Sequence, residues 1–487
     1  MSGFSNPVIP GFHPDPSVCR VGEDYWLVTS SFEYFPGVPL FHSRDLVHWR
    51  QAGHVLTRVA QLPLEKAGCS AGIFAPTIRH ARGRFWMITT NVSISRHILV
   101  HAVDPAGPWS DPILLEHGWI DPSLLFDDDG RVYMQANGHG GIVQRELDPE
   151  TGAWLSESRA IWAGSGGQAL EAPHLYRIGD SYLLLCAEGG TEYGHMVTCA
   201  RGPSPWGPFS SCPRNPILSH RSLGSPIHAT GHAELVQDHR GGWWMLCLGI
   251  RPVGYPNRHH IGRETFLAPV TWVDGWPVVN GGQPLALAMP GPTLPAQPWP
   301  AEPVRDAFTS LGSSWNFLRN PRPGSWALLP GGGLRLNSTA ATLDDEDSPA
   351  WIGRRQQHHR CTFRVRFTAA AGECGVTVFM NARHHYEVAV TGAAGSRRAI
   401  VRRRIGSLQA VVAERPCPDG PFELAIDATP ERYRLLLGGE VLGDGETCYL
   451  ATEVAGGFTG VYLAMYASGP GAQADIAWAD YTPGEQP

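Results

Sequence analysis

The chain has 487 residues, of which 17% are charged, with 57 Gly, 42 Pro, 17 Trp and a formal net charge of -7. That length favours more than one domain, the acidic balance argues against a nucleic-acid partner, and no apolar run is long enough to cross a bilayer. Few windows sustain a helical period, so the Gly-, Pro- and aromatic-rich composition reads as many short strands joined by tight turns.

The N-terminus, MSGFSNPVIPGF, lacks the basic and apolar segments of a secretory signal, and a cytoplasmic location is expected. The 10 cysteines show no CxxC or CxxH spacing. Several, such as Cys186 in YLLLCAEG and Cys247 in WWMLCLG, sit in apolar strands and read as small buried hydrophobes. The run Arg402-Arg403-Arg404 reads as a solvated strand face.

The first element is GFHPDPSVCR, residues 11–20, where an aspartate stands directly before a proline at the head of a strand. Asp before Pro is a common turn. Here, however, the slot recurs. DPSVCRVGEDYWLVTS (15–30), APTIRHARGRFWMITT (75–90), DPSLLFDDDGRVYMQA (121–136), APHLYRIGDSYLLLCA (172–187) and HAELVQDHRGGWWMLC (232–247) share one layout. Each is a short strand, a Gly/Asp turn and an aromatic strand, the signature of a hairpin. The units start roughly 50 to 60 residues apart, enough for four strands each, as in a propeller blade. The pattern predicts an all-β chain with a five-bladed β-propeller over residues 1–295.

In such a propeller the first strand of each blade lines the central channel. The strand heads are Asp15, Ala75, Asp121, Ala172 (after Glu171) and His232. Three carboxyl groups and a histidine, distant in sequence, would therefore meet at one mouth. Six prolines in ALAMPGPTLPAQPWPAEPV (286–304) mark a semi-extended connector or an ordered strap along the domain interface. Beyond it, alternating segments such as CTFRVRFTA, GVTVFMN, YEVAVTG, RYRLLLGG and VYLAMYAS predict a β-sandwich, so that residues 296–487 form a linker and a second domain.

Paired carboxyl groups suit glycoside hydrolysis, which needs a proton for the leaving oxygen and a base or nucleophile on the opposite ring face. A third carboxylate beside the acid would raise its pKa. Phe32 and Phe35 in SSFEYFPG and Phe74 in GIFAPT offer flat apolar surface for a sugar, and Arg263 in IGRETFL offers a fork for a hydroxyl or a carboxylate.

At these residues the chain resembles glycoside hydrolase family 43, in particular its β-xylosidases and α-L-arabinofuranosidases with a C-terminal concanavalin-like sandwich. The matching stretches include NPVIPGFHPDPSVCRVGEDYWLVTSSFEYFPGVPLFHSRDLVHW, GIFAPTIRH, IDPSLLFDDDG, EAPHLY, AEGGTEYGHM, ATGHAEL and GRETFLAPVTW, followed by WNFLRNP, GRRQQH and HHYEVAVT in the second domain. The resemblance implies Asp15 as general base, Glu171 as general acid and Asp121 as the carboxyl that tunes and orients the acid. It implies Phe32, Phe74, His232 and Arg263 as substrate-binding residues, with inversion of configuration and attack at the non-reducing end. It also places a sandwich loop over the pocket, with Phe458 in GGFTGVYLAMY as the candidate contact. One departure is GGQALEAPHL, where the family commonly has a Gly after the acid and bulky residues before it. This bears on subsite shape.

The expected partner is a small oligosaccharide, with no nucleic acid and no membrane. No cofactor is expected to be required and no metal-ligand cluster is legible. A structural calcium ion near His232 or in the sandwich is left open, as is a homo-oligomer. An endo-arabinanase is an alternative, though a sandwich capping the cleft fits a pocket better than a groove. A non-catalytic carbohydrate-binding propeller is the alternative outside enzymes, and loss of a carboxyl would have favoured it. In a ring of five, blades one and four are not adjacent. Asp15 and Glu171 should then face each other across the mouth at the ~6.5–9.5 Å of an inverting site rather than the ~5–5.5 Å of a retaining one. Asp121, in blade three, should flank Glu171.

Overall fold

The structure, a computed structural model, describes residues 3–116 and 118–484. Five antiparallel sheets follow one another along the first part of the chain. Blade one holds Ser17–Val21, Asp24–Val28, Gly37–Ser43 and Arg50–Leu56. Blade two holds Thr77–Ala81, Arg84–Asn91, Arg96–Ala102 and Ile113–Glu116. Blade three holds Ser123–Phe126, Val132–Gly138, Gly141–Glu146 and Arg159–Trp162. Blade four holds Glu171–Ile178, Ser181–Glu188 and Met196–Gly202 with two short outer pieces, and blade five holds His228–Gln237, Trp243–Ile250, Glu264–Val273 and Trp276–Val279.

The hairpins form where the repeated turns allow them: Gly22 (φ 63°) and Gly179 (φ 59°) take up the left-handed conformation that a tight turn needs. The innermost strands neighbour one another in the order one, two, three, four, five and back to one. Their heads therefore share one end of the channel. The N-terminal segment fastens the ring: Ile9 and Thr265 bridge, and the Asn6 side chain bonds the backbone of Leu267 in both directions, at 2.9 and 3.0 Å.

The connector is an ordered strap. Ala288–Pro290 pairs with Gly3–Ser5, Gln297 N–H donates to Asp45 Oδ2, and the Trp299 ring lies 3.9 Å from the Arg50 guanidinium. Among the described residues no helix is long and apolar enough to cross a membrane. All ten cysteines are free, eight of them buried.

The second domain is a sandwich with an unusual join between its layers. CTFRVRFTA and GVTVFMN, read as separate strands in the sequence, belong to one 21-residue strand, Cys361–Asn381. Residues 361–367 pair with Phe422–Ala428 on one side and 361–371 with 473–483 on the other, whereas 374–381 pair with 384–390 and 374–379 with 462–467. The register shifts around 367–373 let the strand leave one layer and enter the other. Arg402, Arg403 and Arg404 differ from the solvated face expected. They are half-buried and paired with Glu373 and Glu387, with Asp444 and with Asp344.

The two domains share a sheet. Tyr34–Phe35, from blade one, pairs with Asn316–Leu318 at the edge of a sandwich layer. This corrects the reading of Phe35 as sugar-facing surface. The alternation of the added strand turns Phe35 into a core cluster that the first blades and the sandwich share, with Phe317 and Ile352, while Tyr34 stacks on Tyr462 at 4.0 Å.

Candidate active site

The heads of the inner strands are conformationally unusual. Asp15 (φ 57°), Asp121 (φ 56°), Ala172 (φ 53°) and His232 (φ 43°) all have left-handed backbone. Non-glycine residues seldom pay this cost except where their direction matters. Register shifts after Glu171 and around Gly231 bend two of the strands at the same mouth. Here Asp15, Asp121, Glu171, His232, Arg263, Phe32 and Phe74 line one pocket, together with Ala75, Ile120, Thr191 and Phe458. Its cavity is small, about 70 Å³, well below the ~300–1,000 Å³ of drug-sized ligand sites, which limits it to a single sugar ring.

Asp15 is buried and fully engaged. Its Oδ2 accepts from Ser30 Oγ at 2.5 Å and its Oδ1 accepts from Arg263 Nη1 at 2.9 Å. His232 Nδ1 lies 3.5 Å from Oδ1. Burial pushes this carboxyl up, but Arg263, His232, Ser30 and His195 together outweigh it and hold Asp15 below the usual range, so it is ionised. Burial keeps His232 low.

Glu171 behaves oppositely. Burial, then the charge of Asp15, raise it to about 7 against the pull of Arg263. Asp121 is also held well above the usual range, by burial and then by the charges of Glu171 and Asp15. The sequence expects Asp121 to push Glu171 up; in the structure the charge that raises Glu171 is that of Asp15, and Asp121 is itself pushed up by Glu171 and Asp15. Asp121 Oδ2 accepts from the N–H of Ala172 at 3.1 Å and so fixes the backbone next to Glu171. The site thus pairs one ionised carboxylate with carboxyls that keep their protons towards neutral pH.

The walls are aromatic. Phe32 and Phe74 stand 5.4 Å apart, and each is 6.1 Å from Phe458. Phe458 comes from the sandwich. Its segment is anchored to the propeller by Thr452 N–H to His259 O, Val461 N–H to His260 O, and Glu453 to His259 and Tyr193. Arg263 spans the joint, donating to Asp15, to Thr191 Oγ1 at 3.0 Å and to Phe458 O at 3.3 Å.

Ser30, Thr191 and His195 are functional neighbours that sequence reasoning passed over. Ser30 ends the first unit, and Thr191 and His195 lie in GGTEYGHM. His195 is fully buried with Nδ1 on Ala229 O at 3.2 Å, so Nδ1 carries the hydrogen, and its bare Nε2 lies 3.8 Å from Glu171 Oε1. Burial lowers its pKa to about 3. Among the described residues, no group of three or more His, Cys, Asp or Glu side chains is placed to hold a metal ion.

A model of glycosyl hydrolases family 43 matches residues 4–277, and one of the beta-xylosidase C-terminal concanavalin A-like domain matches 305–482. The chain belongs to glycosyl hydrolase family 43. This family 43 enzyme is 42% identical to the non-reducing end alpha-L-arabinofuranosidase BoGH43B of Bacteroides ovatus, covering 98% of this chain and 94% of the relative. It is 38% identical to a xylosidase/arabinosidase of Butyrivibrio fibrisolvens, covering 98% of both. Among solved structures, Bacteroides ovatus xyloglucan PUL GH43B matches with a TM-score of 0.95 at 41% identity, over 99% of this chain and 100% of that one. The xylan beta-1,4-xylosidase of Bacillus halodurans C-125 matches with a TM-score of 0.93 at 31% identity, over 98% and 100%.

Proposed function

We propose that this enzyme is an inverting exo-glycosidase that removes terminal β-D-xylosyl and α-L-arabinofuranosyl residues from xylo-oligosaccharides and arabinoxylan fragments. The observation that carries the reading is the pocket itself: three carboxyls of opposed proton affinity in a one-ring space closed by Phe458. The names of the two relatives above, one an arabinofuranosidase and one a xylosidase/arabinosidase, support both sugars. A cap over the site disfavours the endo-arabinanase alternative, which needs an open groove.

In this reading Asp15 takes a proton from water as the oxygen attacks the anomeric carbon. Glu171 gives its proton to the departing glycosidic oxygen, and the two groups exchange protonation states over one displacement. Arg263 and Ser30 hold Asp15 ionised and aimed. Asp121 orients the acid by accepting from the N–H of Ala172, the residue next to Glu171. Phe32, Phe74 and Phe458 exclude water from the ring faces.

The test is a panel of nitrophenyl glycosides: β-D-xyloside, α-L-arabinofuranoside and several hexosides. Turnover of the two pentosides is expected. Turnover of hexosides alone would contradict the substrate class.

A further inference from the structure

Phe458 is the residue by which the sandwich enters the pocket, and its backbone is gripped at both ends by the propeller. Its C=O accepts from Arg263. Its N–H donates to Ser70 Oγ at 2.8 Å. Ser70 is itself held, because its N–H donates to Oε2 of the buried Glu33 at 3.1 Å, and Glu33 adjoins the pocket residue Phe32. Ser70 is 5% exposed and is absent from the pocket wall.

Two features show that this contact is close-fitted. Ser70 sits at φ 56°, a conformation that glycine adopts freely and serine does not. Gly457 (φ 85°) lies so near that an added Cβ would stand 2.4 Å from Ser70 Oγ. A hydroxyl is therefore present where the backbone favours glycine, and the facing residue is a glycine that leaves room for it.

We propose that Ser70 is a positioning residue: its hydroxyl fixes the Phe458 segment against the propeller and so sets the wall of the sugar pocket. The proposal rests on the reading of that pocket as the glycone site. It makes the affinity for the terminal sugar depend on a contact between domains that never touches substrate.

The decisive variant is Ser70→Gly, which removes the hydroxyl while relieving the backbone. It is measured on whichever nitrophenyl glycoside the wild-type enzyme cleaves, so failure of the pentose assignment leaves this test intact. The expected result is a KM raised about twofold to tenfold, the span of one neutral hydrogen bond. kcat should stay within about twofold, and Tm should be unchanged or higher. A purely local role for Ser70 would leave KM unmoved, and that result overturns the proposal. Gly457→Ala supplies the second arm. It should raise KM in the wild-type background, and by less when Ser70→Gly is also present, because the atom it meets is gone while the φ strain remains. Fully additive effects of the two substitutions would also overturn the proposal.

Discussion

Replacing Arg263 with Met should move both limbs of the pH–activity profile upward. The wild-type enzyme needs Asp15 ionised and Glu171 protonated. Activity is lost as pH falls through the depressed pKa of Asp15 and as pH rises through about 7, the value of Glu171. With a single pKa near 7, the protonated fraction of the acid falls roughly tenfold from pH 6 to pH 8. The guanidinium stands 2.9 Å from Asp15 Oδ1. At an effective dielectric of ~20, that contact is worth about 6 kcal/mol of gross attraction. Desolvation offsets much of it, and a carboxylate beside an arginine is typically depressed by about 1–3 pK units. Removing Arg263 should therefore raise the acidic limb by about 1–3 units. His232, Ser30 and His195 remain to limit the change. Arg263 also holds Glu171 down, so the alkaline limb should rise above 7 as well. The assay is kcat/KM against pH on a nitrophenyl pentoside, with circular dichroism to confirm folding. A variant that folds, loses rate and keeps both limbs in place would refute this electrostatic account of the site.

Glu171→Gln should lower kcat about 10²–10⁴-fold on poor leaving groups and far less on activated aryl glycosides, which need little protonation. Asp15→Asn should show no such sparing, and equal leaving-group dependence in the two variants would mean that acid and base are misassigned. A chain ending near residue 300 should be insoluble or nearly inactive, judged by soluble yield and disaccharide turnover. It would uncover Phe12, Phe32, Tyr34 and Phe35, which pack on or near the sandwich. At ~1.5–3 kcal/mol per side chain this approaches the whole stability of a typical domain. A soluble, fully active fragment would show the second domain to be dispensable.

The propeller was legible in the sequence because each blade repeats the same physical problem: a strand head, a glycine turn and an aromatic return strand. Asp15, Asp121 and Glu171 stood out because ionisable groups recurred at equivalent heads of inner strands. The supporting residues carried no such signal. Ser30 and Thr191 are ordinary hydroxyls until the fold brings them beside Asp15 and Arg263. His195 gains its meaning from Ala229 and Glu171, both more than twenty residues away. Phe32 and Phe35 sit three residues apart in one motif and have opposite fates, decided by whether the backbone has entered the strand shared with the sandwich. Nor did alternation reveal that Cys361–Asn381 crosses between layers, since each half has a normal strand pattern and only the register shift joins them.

The most direct test of the account is the configuration of the first sugar released. Proton NMR during early turnover of a β-xyloside should show α-xylose before mutarotation mixes the anomers, as a single displacement by water requires. β-Xylose appearing first, or a covalent glycosyl adduct on Asp15, would show that Asp15 acts as a nucleophile and would contradict the mechanism.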